Sequence, residues 1–477
     1  VEEFDPDNPD RYYYRGHWLS VAKYEETIRV LGGEDVTFTV RNTVHGPVLN
    51  KHGRRVSAKW MGAFPSADLT AFLRMNAARN LRQFLDAQRA YMTPVLNFVY
   101  ADSLGHIAVR SSGWIPRRTR GDGRFPLEGS RGEDEWRGSP VPFEEMPLSV
   151  DPPEGLLIAA NQALLPANES SPHYLGWQFA PPFRAERLDE VLSSGRRFTP
   201  NDMSRLQLDA SDLFFRKVIP VLLRAFPKPP QEPEVQLALR LLEGWDGRVL
   251  PLRVEPTIAW EWLEHYSEAV WSDNWADASL PRDAGWQFSN GDWKPPLDVL
   301  LALSLGQNES HWFDDLRTPE LEDRDTIMRR SFSAAIKELV TEFGPGMNTW
   351  TWSTRNRMVI PDLLNDPQRA LNIEAVPGNS NTVCPGGAGG AVTRGAVYRL
   401  VVPLGNFQRA RGAAPGTQAS IPPELNGNAL FQEQLQSYLT GNYVPLYYYS
   451  YFGDCLLYTS DAADEGLGVD LGGRRII

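Results

Sequence analysis

"DPPEGLLIAANQ", residues 151–162, runs apolar from Leu156 to Ala160 and then sets a carboxamide, Asn161, where the apolar run stops. A short apolar run bounded by Pro and Gly reads as a buried strand, which would place Asn161 at the strand's end. Two explanations for the Asn are open. It closes the strand by bonding its own backbone, or it presents a fixed donor to something that lacks one. The pattern alone favours the first.

Working outward, residues 12–160 are strand-rich. "YEETIRV", "DVTFTVRNTVHGPVLN", "RRVSAKWMG", "LNFVYAD" and "HIAVRSSGWIP" carry β-branched and aromatic residues at period two, punctuated by Gly, Asn, Asp and Pro. One helix is predicted among them. "SADLTAFLRMNAARNLRQFLDAQRAY" (66–91) spaces Leu69, Phe72, Leu73, Ala77, Leu81 and Phe84 as one buried face.

From Thr199 the character is helical. "TPNDMSRLQLDASDLFFRKVIPVLLRAF" opens with a Thr cap, a Pro in the first turn and an early Asp, which suit the orphan amides of a helix start. The Pro-rich "PKPPQEP" follows, then "VQLALRLLEGW" and "DRDTIMRRSFSAAIKELVTEFG". In the last of these Ile327, Phe332, Ile336, Leu339 and Phe343 form an apolar stripe that Gly344 ends. Strands return in "VTRGAVYRLVVPLGN". The chain therefore divides into a strand-rich part with one helix (1–198), a mainly helical region (199–370), returning strands (371–452) and a tail without periodicity (453–477) that looks foreign to the fold. The two strand-rich ends are expected to share one sheet system.

Composition sets limits on partners. The 477 residues carry a formal charge of −12, with 42% hydrophobic and 23% charged residues, an ordinary globular balance. An acidic chain offers no basic face for nucleic acid or an anionic membrane. The longest apolar stretches fall short of the ~20 residues that span a bilayer. The opening "VEEFDPDNPD" is acidic where a signal peptide is basic and then apolar. Two cysteines, Cys384 and Cys455, allow at most one bridge and no Cys-rich metal site. The 15 Trp, 16 Tyr and 21 Phe are expected mainly in a large core.

Common catalytic signatures are missing: there is no G-x-S-x-G elbow, no H-E-x-x-H and no P-loop. "GGAGG" (386–390) lacks the context of a dinucleotide loop and reads as a turn. His45, in "NTVHGPV", sits at a strand–turn junction, where a satisfied structural histidine is the expected reading. Asp314 and Asp315 are adjacent, so their side chains diverge, and capping or salt bridging is expected of them rather than acid–base work.

Nine stretches, in order, carry a resemblance. "VRNTVHGPVL", "NFVYADSLGHIAV", "GWIPRR", "PLEG…EWRGSPVPFEEMP", "DPPEGLLIAANQ", "PPFRAERLDEVL", "WFDDLRTPELE", "NTWTWSTRN" and "VPGNSNTV…YRLVVPLGN" resemble the penicillin acylases in order and rough spacing, across roughly residues 1–450 of the catalytic β chain. The resemblance implies an α+β fold, the αββα four-layer sandwich of the N-terminal-nucleophile hydrolases, incomplete here and carrying a mostly helical insertion. It implies hydrolysis of the amide bond of N-acylated small molecules, such as penicillins or acyl-homoserine lactones, by a periplasmic or secreted enzyme.

Residue by residue, the resemblance makes Asn161 an oxyanion donor, Arg184 an electrostatic support of the active centre, and Phe72 and Leu96 part of the acyl pocket. It also implies autoproteolysis that exposes a hydroxyl or thiol nucleophile whose own α-amino group is the base. Val1 cannot be that residue, so the nucleophile, the base and the α chain are expected upstream, and these 477 residues alone are expected to be inactive. No catalytic cofactor is implied. Relatives bind a structural calcium, but one of its Asp positions is matched here by His173, so no metal ligand is assigned. Two other readings stay open: a carbohydrate-active hydrolase with a carboxylate pair, which would use the abundant Trp and acidic residues, and a non-catalytic scaffold of the same fold.

Overall fold

The computed structural model describes residues 1–51, 54–121, 123, 126–164, 173–176, 179–277, 297–306, 308–360, 370–373, 375–387, 390–392, 395–415 and 429–446. The tail at 453–477 lies outside the described residues. The described residues fall into two compact units, Val1–Ala180 and the residues from Pro181 onward.

The first unit is built of antiparallel sheet with two helices. Strands β1 (Glu3–Phe4), β2 (Arg11–Tyr14) and β3 (His17–Ser20) form one sheet. Arg15 and Gly16, both at positive φ, make the two-residue turn between Tyr14 and its partner His17, the geometry that matches strand twist. A second sheet runs β4 (Ala22–Ile28), β5 (Val36–Thr43), β6 (Gly46–Lys51), β7 (Arg54–Ser57). Gly46 is required at the start of β6, because a Cβ there would sit 2.3 Å from the Ala58 carbonyl oxygen. Helices α1 (Asp68–Ala77) and α2 (Leu81–Ala87) come next, followed by β8 (Leu96–Ala101), β9 (Ile107–Ser112) and β10 (Leu148–Val150), which form a third sheet in the order β10-β9-β8.

The single helix expected over 66–91 is two. Asn80 interrupts it, its side chain accepting the Gln83 amide as the cap of α2. Ala71 and Met75 are the buried residues of α1, with Phe72 and Phe84 of the expected stripe packed half-buried against them. Leu69 and Leu73 are 68% and 62% exposed.

The second unit is helical at its centre. It contains α3 (Phe183–Leu192), α4 (Pro200–Leu206), α5 (Leu213–Arg224), α6 (Pro233–Glu243), α7 (Glu255–Asp277), α8 (Leu297–Leu305), α9 (Arg324–Phe343) and the short α10 (Trp352–Arg355). Thr199 and Asp202 form the capping box that starts α4. On α9, Ile327, Phe332, Ile336 and Leu339 are buried as expected, and Gly344 ends the helix at φ +80. Their stripe packs with Trp262, Tyr266, Trp350 and Trp352 in one large core, where the aromatic residues were expected.

Among the described residues of the second unit, six strands lie in two further sheets. β11 (Asn356–Ile360) sits between β12 (Leu371–Ile373) and β13 (Gly390–Val392), while β14 (Arg399–Val401) and β15 (Arg411–Ala413) continue, past α11 (Ala429–Thr440), to β16 (Val444–Pro445). Among the described residues only β11 and β13 pair parallel, and the six strands pair with one another and not with β1–β10. The class is α+β, as expected. Among the described residues no helix is long and apolar enough to cross a membrane.

Asp212 ties the second unit together. Fully buried, it caps α5 by accepting the Phe215 amide, and it also accepts Nδ2 of Asn379 at 2.7 Å and Nδ2 of Asn381 at 3.2 Å. Burial pushes its pKa up against these donors. The "VPGNSNTV" stretch thus serves a helix start far away in sequence. Asp315 and Asp314 behave as expected of them: Asp315 pairs with Arg317 at 2.7 Å, and Asp314 accepts the Glu322 amide at 3.3 Å.

Candidate active site

Residues 156–160 are not a strand. No ladder pairs them, Leu156, Leu157 and Ile158 are half-buried, Ala159 is exposed, and only Ala160 is buried. What replaces the ladder is a side chain. Gln162 Nε2 donates to the Ile158 carbonyl at 2.9 Å, and Gln162 Oε1 accepts the Ala160 amide at 2.7 Å. One glutamine amide satisfies a backbone donor and an acceptor that a neighbouring strand would otherwise have met. The apolar run looked like a strand because its pattern records burial, not pairing.

Asn161 stands at the corner this clamp creates. It is exposed, with φ +63, and its carbonyl accepts the Ala180 amide at 2.9 Å. The left-handed region admits Asn more readily than other side chains apart from Gly, so the residue suits the corner as well as any donor role. The loop is anchored upstream by Asp151, itself at positive φ, which accepts the Ile107 amide and pairs with His106, each at 2.8 Å.

Phe72 and Leu96 are both related to Phe98, the first by ring contact and the second by strand face. The Phe72 ring is 5.6 Å from Tyr91 and 6.1 Å from Phe98, both edge-on. Leu96 is two residues before Phe98 on β8, so it shares that face of the strand, and it is 39% exposed. Behind them Ala71, Met75 and Ala87 are buried. The result is an apolar shelf with an open rim.

Arg184 belongs to the second unit, in the first turn of α3. It is half-buried, and burial draws its guanidinium pKa below the ordinary arginine value while leaving it a cation. Its neighbours Glu186 and Asp189 bond elsewhere, to Lys217 Nζ at 2.6 Å and to Ser193 Oγ at 2.8 Å. His173 is paired with Glu145.

A further cluster of charged side chains in the first unit centres on His45. His45 bonds Glu2 Oε1 through Nδ1 at 2.7 Å and Glu135 Oε1 through Nε2 at 2.8 Å. Glu135 also accepts Lys59 Nζ at 2.9 Å and the Tyr14 hydroxyl at 3.0 Å. Burial opposes charge on the ring, yet the two carboxylates prevail and raise the His45 pKa. Burial likewise opposes the Glu135 charge, but the bonds from Lys59 and His45 draw its pKa down to about 2. The strand–turn setting of His45 was the only sequence signal, and it pointed to a structural histidine.

Comparison with known proteins places the chain. The model of one family, described as penicillin amidase, matches residues 1–451. An acyl-homoserine lactone acylase, QuiP, of Pseudomonas syringae pv. tomato is 26% identical over 368 residues, 72% of this chain and 43% of its own length. The penicillin acylase 2 proenzyme of Pseudomonas sp. is 32% identical over 48% of this chain and 30% of its own. Penicillin G acylase of Escherichia coli is 30% identical over 52% and 30%. A solved penicillin G acylase from Alcaligenes faecalis superposes with a TM-score of 0.62 at 20% identity, covering 93% of this chain and 82% of that one, which shows a shared fold. The chain spans less than half the length of these curated relatives.

Proposed function

Since the chain belongs to the penicillin amidase family, we propose that it forms part of an amidohydrolase that removes the acyl group from N-acylated small molecules, penicillins and acyl-homoserine lactones among them. The single observation that carries this reading is the family match over residues 1–451, supported by relatives named for both substrate classes. Family membership also favours it over a carbohydrate-active hydrolase.

In this reading Asn161 donates from its carboxamide to the oxygen that gains negative charge as the amide carbonyl is attacked. A donor positioned for that oxygen contributes ~3 to 4 kcal/mol to the transition state. The Gln162 clamp supports the assignment, because a donor held by a fixed backbone needs no reorganisation when charge develops. Arg184 supplies positive potential. Phe72 and Leu96 receive the acyl group on their apolar shelf. The nucleophile and its base come from polypeptide beyond these residues, freed by self-cleavage, in keeping with the length of the relatives. The enzyme works in the periplasm or outside the cell.

The test uses the complete enzyme that contains this chain, assayed for acyl release from penicillin G and from short and long acyl-homoserine lactones. Hydrolysis of at least one is expected, with Phe72→Trp narrowing the range of acyl chains. No release from any N-acyl amide would leave a non-catalytic scaffold of the family as the reading.

A further inference from the structure

Helices α7 and α9 bring together three side chains of the kind that ligate metals. Glu261 and His265 lie four residues apart on α7 and so share a face, while Glu338 comes from α9. Nε2 of His265 is 3.4 Å from Glu261 Oε1 and 3.0 Å from Glu338 Oε2. The three ligand atoms lie within 4.8 Å of one another. Glu261 is only 4% exposed, and Nη1 of Arg355 stands 2.5 Å from its other oxygen, leaving Oε1 turned to His265.

A ring nitrogen carries at most one proton. Here two carboxylate oxygens from different helices converge on the same nitrogen, so one N–H cannot point well at both, whereas a cation among the three atoms would satisfy all of them. Tetrahedral Zn²⁺ with bonds of ~2.0 to 2.1 Å separates its ligand atoms by ~3.3 to 3.4 Å. The two observed separations lie close to that spacing. Imidazole with carboxylate suits zinc and its first-row neighbours.

We propose that Glu261, His265 and Glu338 bind a divalent first-row cation of the zinc type, which staples α7 to α9, with Arg355 orienting the buried Glu261. The Glu338 side chain is 58% exposed and that of His265 is 25% exposed, so an ion can enter from solvent and keep water as a further ligand. The role is structural and independent of the proposed hydrolysis.

The test is titration of the complete, chelator-treated enzyme with ZnCl₂ by calorimetry, alongside thermal melts and the visible spectrum with Co²⁺. One ion per copy of this chain, a rise in Tm of several degrees and a tetrahedral Co²⁺ band are expected. Glu338→Gln, at an exposed position, should leave the Tm in chelator unchanged and weaken zinc by at least about 10-fold, as should His265→Gln. Absence of binding, or equal affinity in both variants, overturns the proposal.

Discussion

Gln162 bonds Ile158 through Nε2 at 2.9 Å while its Oε1 holds the amide of Ala160 at 2.7 Å, so a single side chain fixes the approach to Asn161. Gln162→Leu keeps the volume and removes both bonds. The backbone at Asn161 then loses its support, and kcat is expected to fall about 10-fold with little change in KM or Tm, since the lost bonds lie in one partly exposed loop. Steady-state kinetics beside a melt separate this from general destabilisation; a wild-type kcat would mean the clamp has no part in catalysis.

Replacing Asn161 requires a control for backbone strain. Ala at φ +63 is strained, whereas Gly is not, so Asn161→Gly isolates the loss of the carboxamide. If Asn161 is the oxyanion donor, both variants lose ~10²-fold or more in kcat. If only the Ala variant loses activity, the residue matters for its conformation, and the donor lies elsewhere.

The His45–Glu135 pair predicts a pH window for the first unit. Glu135 has its folded pKa lowered to about 2, so its contribution is complete above the unfolded value of 4.5 and fades as pH falls toward 2. His45 has its folded pKa raised, so its contribution is complete below its unfolded value of 6.5 and fades as pH rises through the folded one. Both operate fully between pH 4.5 and 6.5. Melts of the complete enzyme across pH 3–9 should show this broad maximum, and His45→Gln should flatten its alkaline side. Glu135→Gln, which leaves Lys59 and His45 facing a neutral amide, is expected to cost ~2 kcal/mol or more.

Asp212 should be among the least replaceable polar residues of the second unit. Asp212→Ala removes the cap of α5 and strands the buried amides of Asn379 and Asn381, a loss of ~3 kcal/mol or more by denaturant titration. Asp212→Asn retains one acceptor and should fall between. A change within ~0.5 kcal/mol for the Ala variant would show that the loop at 377–382 re-pairs with water.

Much of the second unit was legible in the sequence because its determinants are local. The stripe of α9, its end at Gly344 and the Thr199–Asp202 box of α4 each depend on residues within a few turns of one another, so periodicity and cap chemistry sufficed. The family, too, was legible, from motifs in a fixed order. The same reasoning failed over 66–91, where the Asn80 side chain accepts the Gln83 amide and starts a second helix, and over 156–160, where apolar residues were mistaken for paired ones.

Sequence by itself determined the helical character of the region after Thr199, the strands β4–β9 and the family, since each is written in short-range spacing or in motif order. Tertiary structure alone decided that His45 stands between Glu2 and Glu135, 43 and 90 residues away, and that Glu261, His265 and Glu338 converge from two helices. Charges so distant along the chain meet only because the burial of apolar faces brings their strands and helices together, and no local pattern encodes which carboxylate will arrive.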